Sequence, residues 1–353
     1  MYPLLRFNKQ QILENTQKIV SRAAEHNIQI TGITKCSGGN PEIAETILKG
    51  GASALGDSRI QNLKTLQDLN CSKWLIRMPM LSEIEDTVRY ATLSLNSELK
   101  TVAALNAAAE KLGKTHEILL MVDLGDLREG YFFPEVFLSD LQKILKMKHI
   151  AVKGIGSNLS CTGAIVPTVE TYEKFFDFQQ LMRQNFDLDC EITSGGASST
   201  YFMLRDGTIP DCINNLRIGE MILIGSDTSN NIIYNTLHQD NFILDVEIIE
   251  IKDKPSMPIG KIGCDAYGNR PVFVDKGIRR RAICALGKQD TSMEDLTPLD
   301  TDIEMVASSS DHLILDISDC ANHYQVGDIV SFRCNYASAL HASTSEYIRK
   351  AAF

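Results

Sequence analysis

The first 225 or so residues alternate short apolar runs with segments of helical periodicity, which limits the chain to few folds. Eight runs have the length of a buried strand: 29–35, 52–56, 73–78, 92–95, 117–123, 151–157, 190–193 and 216–224. Seven helical segments lie between them: 41–49, 60–69, 83–90, 98–111, 134–147, 167–185 and 197–204. Eight strands with intervening helices predict a closed (β/α)8 TIM barrel. An open doubly wound sheet is the alternative, and no GxGxxG follows the first strand to support it.

The pattern changes after Gly225. Segment 242–251 alternates apolar and polar residues with the period of a strand, as do 281–286, 312–317 and 329–332. We therefore predict a barrel domain over residues 1–225 and a β-rich C-terminal domain over residues 226–353. Residues 1–8 contain a short apolar stretch that is a candidate to join the second domain.

Charge and cysteine content exclude several classes of protein. The net charge of −10 argues against nucleic acid as a partner, because phosphate binding needs a basic surface. The nine cysteines are scattered and form no CxxC pair, so neither a disulfide framework nor a metal site is expected. No apolar run approaches the ~18–20 residues that span a bilayer. These features predict a cytoplasmic protein with no membrane partner.

Polar residues and glycines recur where the predicted strands end. Functional groups of parallel barrels lie at these carboxyl ends. The end positions are Lys35, 57–59, 77–79, 96–97, 123–128, 157–158, 194–196 and 217–219. Their recurrence at every strand predicts a single pocket at this end of the barrel.

Three of these positions suggest a particular chemistry. Lys35 ends a strand before a small-residue loop, where a partly desolvated amine can attach an aldehyde cofactor as a Schiff base; a solvated lysine is the alternative. Segment 193–199 is a glycine turn leading into a helix and suits a phosphate, and Gly219 allows close backbone approach. Arg217, inside an apolar strand, is either in a structural salt bridge or the partner of a heteroaromatic ring nitrogen.

Lys35, Arg128 within 122–130, and the run 216–219 together resemble the alanine racemase superfamily, the barrel class of pyridoxal-phosphate enzymes. Segment 309–317 resembles the family's segment that lines the partner subunit's site. Four shorter segments, 56–62, 121–131, 214–217 and 285–290, are similar to the branch of the family that racemises ornithine.

The resemblance implies roles for individual residues. Lys35 carries the cofactor and moves a proton at Cα, while Arg217 faces the pyridine nitrogen and keeps it unprotonated. Cofactor binding is implied for Lys35, Arg128, Asn158, Ser194, Gly195, Ser198, Arg217, Gly219, Glu220 and Tyr336. Substrate binding is implied for Arg128, Ser310, Asp311 and His312. Asp311, Asp126 and Glu129 are alternatives for the carboxylate that meets the distal ammonium of a basic substrate.

The chain departs from the family at three places, one of which is Asn158, where the family commonly has a histidine beside the ring. The family's second base is a tyrosine after a glycine in the second domain, and the matching run 285–290 contains no tyrosine. Lys288 occupies that position by spacing, with Asp290, Asp311 and His312 as alternatives. Gly39 stands where the family has a phosphate-binding tyrosine.

The resemblance implies a two-base racemase that interconverts the enantiomers of a free basic amino acid, ornithine first, in a head-to-tail homodimer. A racemase of lysine, arginine, alanine or a broad range of amino acids is an open alternative. So are a basic amino-acid decarboxylase, a non-enzymatic pyridoxal-phosphate carrier and a phosphate-binding barrel without cofactor.

Overall fold

The computed structural model describes residues 1–264 and 267–353, which form two compact units. The chain begins with strand β1 (Leu4–Phe7) and helix α1 (Lys9–Ala24). The first unit is Lys9–Gln239, and the second combines Met1–Asn8 with Asp240–Phe353, whereas the sequence placed the division after Gly225. Residues 226–239 stay with the first unit because Asn15 of α1 holds them. Its Nδ2 donates to the carbonyl of His238 (2.9 Å), whose N–H donates to Asn15 Oδ1 (2.8 Å).

The first unit contains a closed barrel of eight parallel strands, as predicted. The strands are β2 (Gln29–Ile33), β3 (Ala54–Asp57), β4 (Ser72–Leu75), β5 (Leu93–Asn96), β6 (His116–Val122), β7 (Ile150–Ser157), β8 (Ile192–Ser194) and β9 (Asn215–Ile218). Pairing of β9 with β2 closes the barrel. All strands point the same way, so their carboxyl ends form one rim.

Helices follow the strands. They are α2 (Pro41–Lys49), α3 (Ile60–Thr65), α4 (Ile84–Tyr90), α5 (Leu99–Lys111), α6 (Pro134–Ile144), α7 (Val169–Phe186), α8 (Tyr201–Asp206) and α9 (Glu220–Ile224). Prolines occupy the first positions of α2 and α6, where no N–H is needed. The Asn40 side chain caps α2 by accepting from two backbone N–H groups. Strands β10 (Ser226–Asp227) and β11 (Ile232–Ile233) form a short antiparallel pair after α9.

The barrel interior has an apolar side and a polar side. The apolar side is a cluster from β3 to β6: Ala54, Trp74, Leu93, Leu95, Leu119 and Met121. The polar side consists of Thr31 of β2, Ser194 of β8, and Asn215 and Arg217 of β9, all at most 5% exposed. Buried polar groups require partners, and here they find them in one another.

The second unit is a mostly antiparallel sheet. Its strands are β1, β12 (Phe242–Pro255), β13 (Ile278–Cys284), β14 (Leu296–Pro298), β15 (Glu304–Ser308), β16 (Leu313–Asp316), β17 (Ile329–Cys334) and β18 (Arg349–Ala352), with helix α10 (Tyr336–Thr344). The path β14-β17-β12-β13-β16-β15 carries most of the sheet. Strand β1 pairs antiparallel with β12 and parallel with β18.

Two further observations concern classes of site. Among residues 1–264 and 267–353, no helix combines the length and apolarity of a membrane span, and no acidic, histidine and cysteine side chains group as metal ligands. All nine cysteines are free thiols.

Candidate active site

Lys35 lies two residues after the end of β2, as the first residue of a 3-10 turn over Lys35–Ser37. Its side chain is half-buried at the carboxyl-end rim. The residues around it are fixed: Ser37 Oγ donates to the Thr34 carbonyl (2.9 Å), and Thr34 Oγ1 donates to Asp57 Oδ2 (2.7 Å). The turn therefore presents the Lys35 amine from a rigid base.

Asp57 is a buried carboxylate that the sequence placed at the rim without giving it a role. It ends β3 and accepts hydrogen bonds from Thr34 Oγ1, the Arg59 N–H (2.9 Å) and Asn62 Nδ2 (3.0 Å). Burial raises the pKa of this carboxyl, and the three donors oppose that shift. Asp57 thereby ties the Lys35 turn to the next rim loop. An acidic residue at a strand end just before a helix was the available signal.

Gly39 has a structural reason to be glycine. Its φ is +68°, and a Cβ added there would lie 2.6 Å from Asn62 Cβ. Side chains disfavour this backbone region and the space is filled. The position of the family's phosphate-binding tyrosine therefore has no room for a side chain.

Arg217 projects into the polar side of the barrel and is 5% exposed. Its Nη1 donates to Ser194 Oγ (2.6 Å) and to the Ser194 carbonyl (3.2 Å), and its Nη2 donates to the Ser157 carbonyl (2.7 Å). Within the described chain it forms no salt bridge, and its Nε makes no hydrogen bond. Burial lowers the pKa of this guanidinium to about 10, and the nearby Glu129 opposes the change. The open Nε matches a neutral acceptor such as a pyridine nitrogen.

The small-residue loop after β8 meets the start of α9. Ser198 Oγ accepts from the N–H of Met221 (3.4 Å), so the loop and the helix start lie side by side. A Cβ on Gly219 would lie 2.9 Å from Ile33 Cβ, which explains the glycine there. Glu220 turns its carboxylate away, toward the N–H of Thr228 (2.8 Å). Helix-start N–H groups and the Ser198 hydroxyl are suited to a phosphate.

Arg128 and Asn158 lie on the rim loops after β6 and β7. The fork of Arg128, Nε and Nη2, is paired with the carboxylate of Glu129, which leaves Nη1 uncommitted. Asn158 Nδ2 donates to Cys161 Sγ (2.9 Å). Asp126 clamps the second loop: it is 1% exposed and accepts the N–H groups of residues 161, 162 and 165 at 3.0–3.4 Å. Its carboxylate is therefore occupied by the backbone.

The β-rich unit brings Lys288, Ser310, Asp311 and His312 together. The Lys288 N–H donates to the Ser309 carbonyl (2.9 Å), and a Cβ on Gly287 would lie 2.2 Å from the Asp311 nitrogen. Lys288 Nζ lies 4.0 Å from the centroid of the Tyr267 ring. Asp311 pairs with His312 Nδ1 (3.0 Å), and that contact lowers the pKa of the Asp311 carboxyl.

The remaining predicted residues are placed as follows. Ser194 lies beneath Arg217 and is fully buried, with its hydroxyl committed to Arg217 and Asn215. Gly195 packs on Ile213, since a Cβ would lie 2.5 Å from Ile213 Cδ1. Tyr336 is the first residue of α10 in the β-rich unit.

The donor set of the barrel rim fits pyridoxal phosphate. Lys35 offers an amine for an aldehyde, Arg217 offers an N–H to a ring nitrogen, and the Ser198 loop with the α9 start offers donors to a phosphate. These three chemistries match the three functional parts of that cofactor.

Comparison with known proteins agrees with this assignment. Residues 7–227 match the model of the alanine racemase N-terminal domain. Ornithine racemase of Acetoanaerobium sticklandii is 43% identical over 99% of both chains. Lysine racemase of Thermotoga maritima is 38% identical over 99% of this chain and 98% of its own.

A solved structure shares the fold. Alanine racemase from Bartonella henselae with covalently bound pyridoxal phosphate superposes with a TM-score of 0.74 at 16% identity, over 100% of both chains. The predicted family, fold and cofactor class are confirmed. The chain belongs to the alanine racemase family of pyridoxal-phosphate enzymes.

Proposed function

We propose that this protein racemises a free basic amino acid, with ornithine as the preferred substrate and lysine as the second candidate. Full-length similarity to an ornithine racemase and a lysine racemase supports the substrate class. The observation that carries the reaction type is Arg217, a buried cation with an open N–H donor and no carboxylate partner among the described residues. An arginine there disfavours a protonated ring nitrogen, which suits racemisation.

Lys35 is the residue that holds the cofactor and then transfers the proton at Cα on one face of the substrate. When bound, pyridoxal phosphate supplies an electron sink that acidifies the Cα–H of an attached amino acid. The Lys35 amine takes or returns that proton. Its fixed turn limits the positions that Nζ can reach, which keeps the transfer on one face.

The phosphate is held by Ser198 with the backbone of Gly195, Gly219 and Glu220. The contact between Ser198 and the α9 start supports one shared anion site. Burial raises the pKa of the Glu220 carboxyl, whose hydrogen bonds direct it away from that site. Tyr336 is a further candidate phosphate contact.

Arg128 binds the substrate carboxylate or the cofactor's phenolic oxygen through Nη1. Its Nε and Nη2 are paired with Glu129, which argues against a bidentate contact to substrate. Asn158 flanks the cofactor ring.

Lys288 is our choice for the proton transfer on the other face. Asp311 is a poorer base, because its contact with His312 lowers the pKa of its carboxyl. The Lys288 amine lies over the Tyr267 ring, a contact that fixes the position of Nζ. Asp311, together with Ser310 and His312, is assigned to the substrate's distal ammonium.

The family's shared-site arrangement requires a head-to-tail homodimer, in which the Lys288 loop serves the partner's barrel. We also propose a cytoplasmic location, because nine free thiols suit a reducing compartment.

The test is α-proton exchange in D2O with cofactor-loaded protein. We expect both enantiomers of ornithine to lose their α-protons and optical rotation to decay to zero, with slower reaction of lysine. Exchange without CO2 release separates racemisation from decarboxylation. Retention of every α-proton in ornithine, lysine, arginine and alanine would refute the proposal.

A further inference from the structure

A chain of hydrogen-bonded side chains runs beneath Arg217 through the polar side of the barrel. Arg217 Nη1 donates to Ser194 Oγ (2.6 Å), Ser194 Oγ donates to Asn215 Oδ1 (2.7 Å), and Asn215 Nδ2 donates to Thr31 Oγ1 (3.0 Å). Their exposure lies between 0% and 5%. Buried polar groups linked in series act as one unit.

The direction of this chain is fixed by a backbone carbonyl. Asn215 Nδ2 also donates to the carbonyl of Gln29 (3.3 Å), which can only accept. The amide therefore points its nitrogen toward β2 and its oxygen toward Ser194. Because Asn215 Oδ1 is an acceptor, the Ser194 hydroxyl must donate to it. The Ser194 lone pairs are then left for Arg217.

This arrangement gives Arg217 only acceptors. Ser194 Oγ and the carbonyls of Ser194 and Ser157 hold both terminal nitrogens, and Nε remains for the rim. Neither Ser194 nor Asn215 titrates at working pH, so the chain offers no group that can take a proton from the guanidinium. Arg217 thus keeps its charge although burial lowers its pKa to about 10.

We infer that Asn215 is a positioning residue: by orienting the Ser194 hydroxyl, it aims Arg217 Nε at the cofactor's ring nitrogen. The inference rests on the proposed function only in naming that nitrogen as the target. No side chain between Asn215 and the cofactor needs to move, because the hydrogen-bonded series lies entirely on β2, β8 and β9.

Asn215 also borders a cavity of about 190 Å3 that Gln29, Trp74, Glu191 and Asn214 help to line. A smaller residue would open the chain to this cavity, so that water could replace the amide. Asn215→Leu is therefore the better probe, because it removes the hydrogen bonds and keeps the volume. Ser194→Ala is the second probe, since it deletes only one oxygen.

The experiment is nitrogen-15 NMR of the holoenzyme loaded with ring-labelled pyridoxal phosphate, without substrate, across neutral to alkaline pH. In the wild type we expect an unprotonated ring signal that does not change with pH. In Asn215→Leu and Ser194→Ala we expect the signal to shift and to titrate. Asn214→Leu is the matched control. The Asn214 side chain bonds to the backbone of Thr193 and Glu191 and takes no part in the hydrogen-bonded series beneath Arg217. The spectrum of this variant should therefore equal that of the wild type.

A wild-type spectrum in both probes, with reduced stability alone, would show that the chain is merely structural and would overturn the inference. If Asn215→Leu does not fold, Ser194→Ala decides. Because no substrate is present, the outcome is independent of racemisation. A protein that exchanges no α-proton yet shows the spectral changes refutes the proposed function and supports the positioning role.

Discussion

Arg217 has to keep its proton, whereas the role proposed for Lys288 is to exchange one. Arg217 is buried where an ion pair would be expected, and carbonyl and hydroxyl oxygens replace the carboxylate. A paired carboxylate would neutralise the cation and compete for its donors. Lys288, the proposed second base, is half-buried in the β-rich unit with its Nζ over an aromatic ring.

At this scale we predict the effect of Lys288→Met. Racemisation should fall in both directions by about 100-fold or more, the usual contribution of a general acid–base group. Exchange of the α-proton that faces Lys35 should continue without inversion, because that proton needs only the first base. Chiral chromatography and α-proton NMR in D2O measure the two processes.

Lys276→Met is the control, since Lys276 lies in the same unit and pairs with Glu304 (2.6 Å). Its rates should be normal. Near-normal inversion in Lys288→Met would remove that lysine from the mechanism.

Sequence reasoning reached the residues whose placement follows from strand period and missed those fixed by loop contacts. Arg217 lies on the inward face of β9 and Lys35 follows the end of β2, both positions that the strand pattern predicts. The pairing of Glu129 with Arg128 depends on a loop with positive φ at Gly125, Leu127 and Gly130, and no periodicity encodes that path. Asn215 could have been predicted from the sequence, because it precedes Arg217 by two residues and therefore lies on the same face of β9.

At the scale of elements, strands with their own apolar run were predictable and strands created by pairing were not. Each barrel strand and β12, β13, β16 and β17 overlaps a predicted run, but the run 216–224 was wrong beyond Ile218, because residues 220–224 form α9. Strand β14 has three residues and ends in Pro298, and β18 reads Arg-Lys-Ala-Ala. Both are strands because they pair, β14 with β17 and β18 with β1. Tertiary pairing outweighs propensity in such segments.

Strand β6 yields a prediction of pH dependence. His116 begins β6, is 2% exposed, and shares a hydrogen bond between its Nε2 and Ser94 Oγ (2.8 Å). Burial lowers the pKa of His116 to about 4, below the ordinary 6.5. The unfolded chain therefore binds an extra proton as pH falls from 6.5 toward 4, and stability present above 6.5 is lost in that window.

We expect the free energy of unfolding to drop by about 2 kcal/mol from this group between pH 7 and pH 5. His116→Gln keeps a hydrogen-bonding group for Ser94 and has no charge to gain. Its free energy of unfolding, measured in urea, should therefore fall by about 2 kcal/mol less than that of the wild type between pH 7 and pH 5. An identical pH dependence in wild type and variant would rule out His116 as the source.

At the scale of the whole molecule, the candidate groups are divided between two units. The barrel holds Lys35, Arg128 and Arg217, while the β-rich unit holds Lys288 and Asp311. Both units were predicted from the change of pattern near Gly225. The fourteen residues 226–239 were not predicted to stay with the barrel, because hydrogen bonds from Asn15, far away in sequence, decide their place.

The proposed shared site predicts complementation between inactive subunits. Lys35→Ala and Lys288→Met should each lack racemase activity. After the two are mixed and reassembled, activity should rise to about a quarter of the wild-type value, because random pairing makes about half the dimers hybrids, each with one complete site. Native mass spectrometry counts the hybrids. Hybrids that form and stay inactive would contradict a site shared between subunits.

The Asp126 clamp has a consequence for how this scaffold changes specificity. Its carboxylate, on the loop after β6, holds three N–H groups of the loop after β7, so the two loops form one structural part. Replacing either loop alone with that of a relative would leave a buried carboxylate or three backbone N–H donors without hydrogen-bond partners. We therefore expect substrate preference at this side of the rim to change only when both loops change together. A graft of residues 123–131 must include residues 158–166.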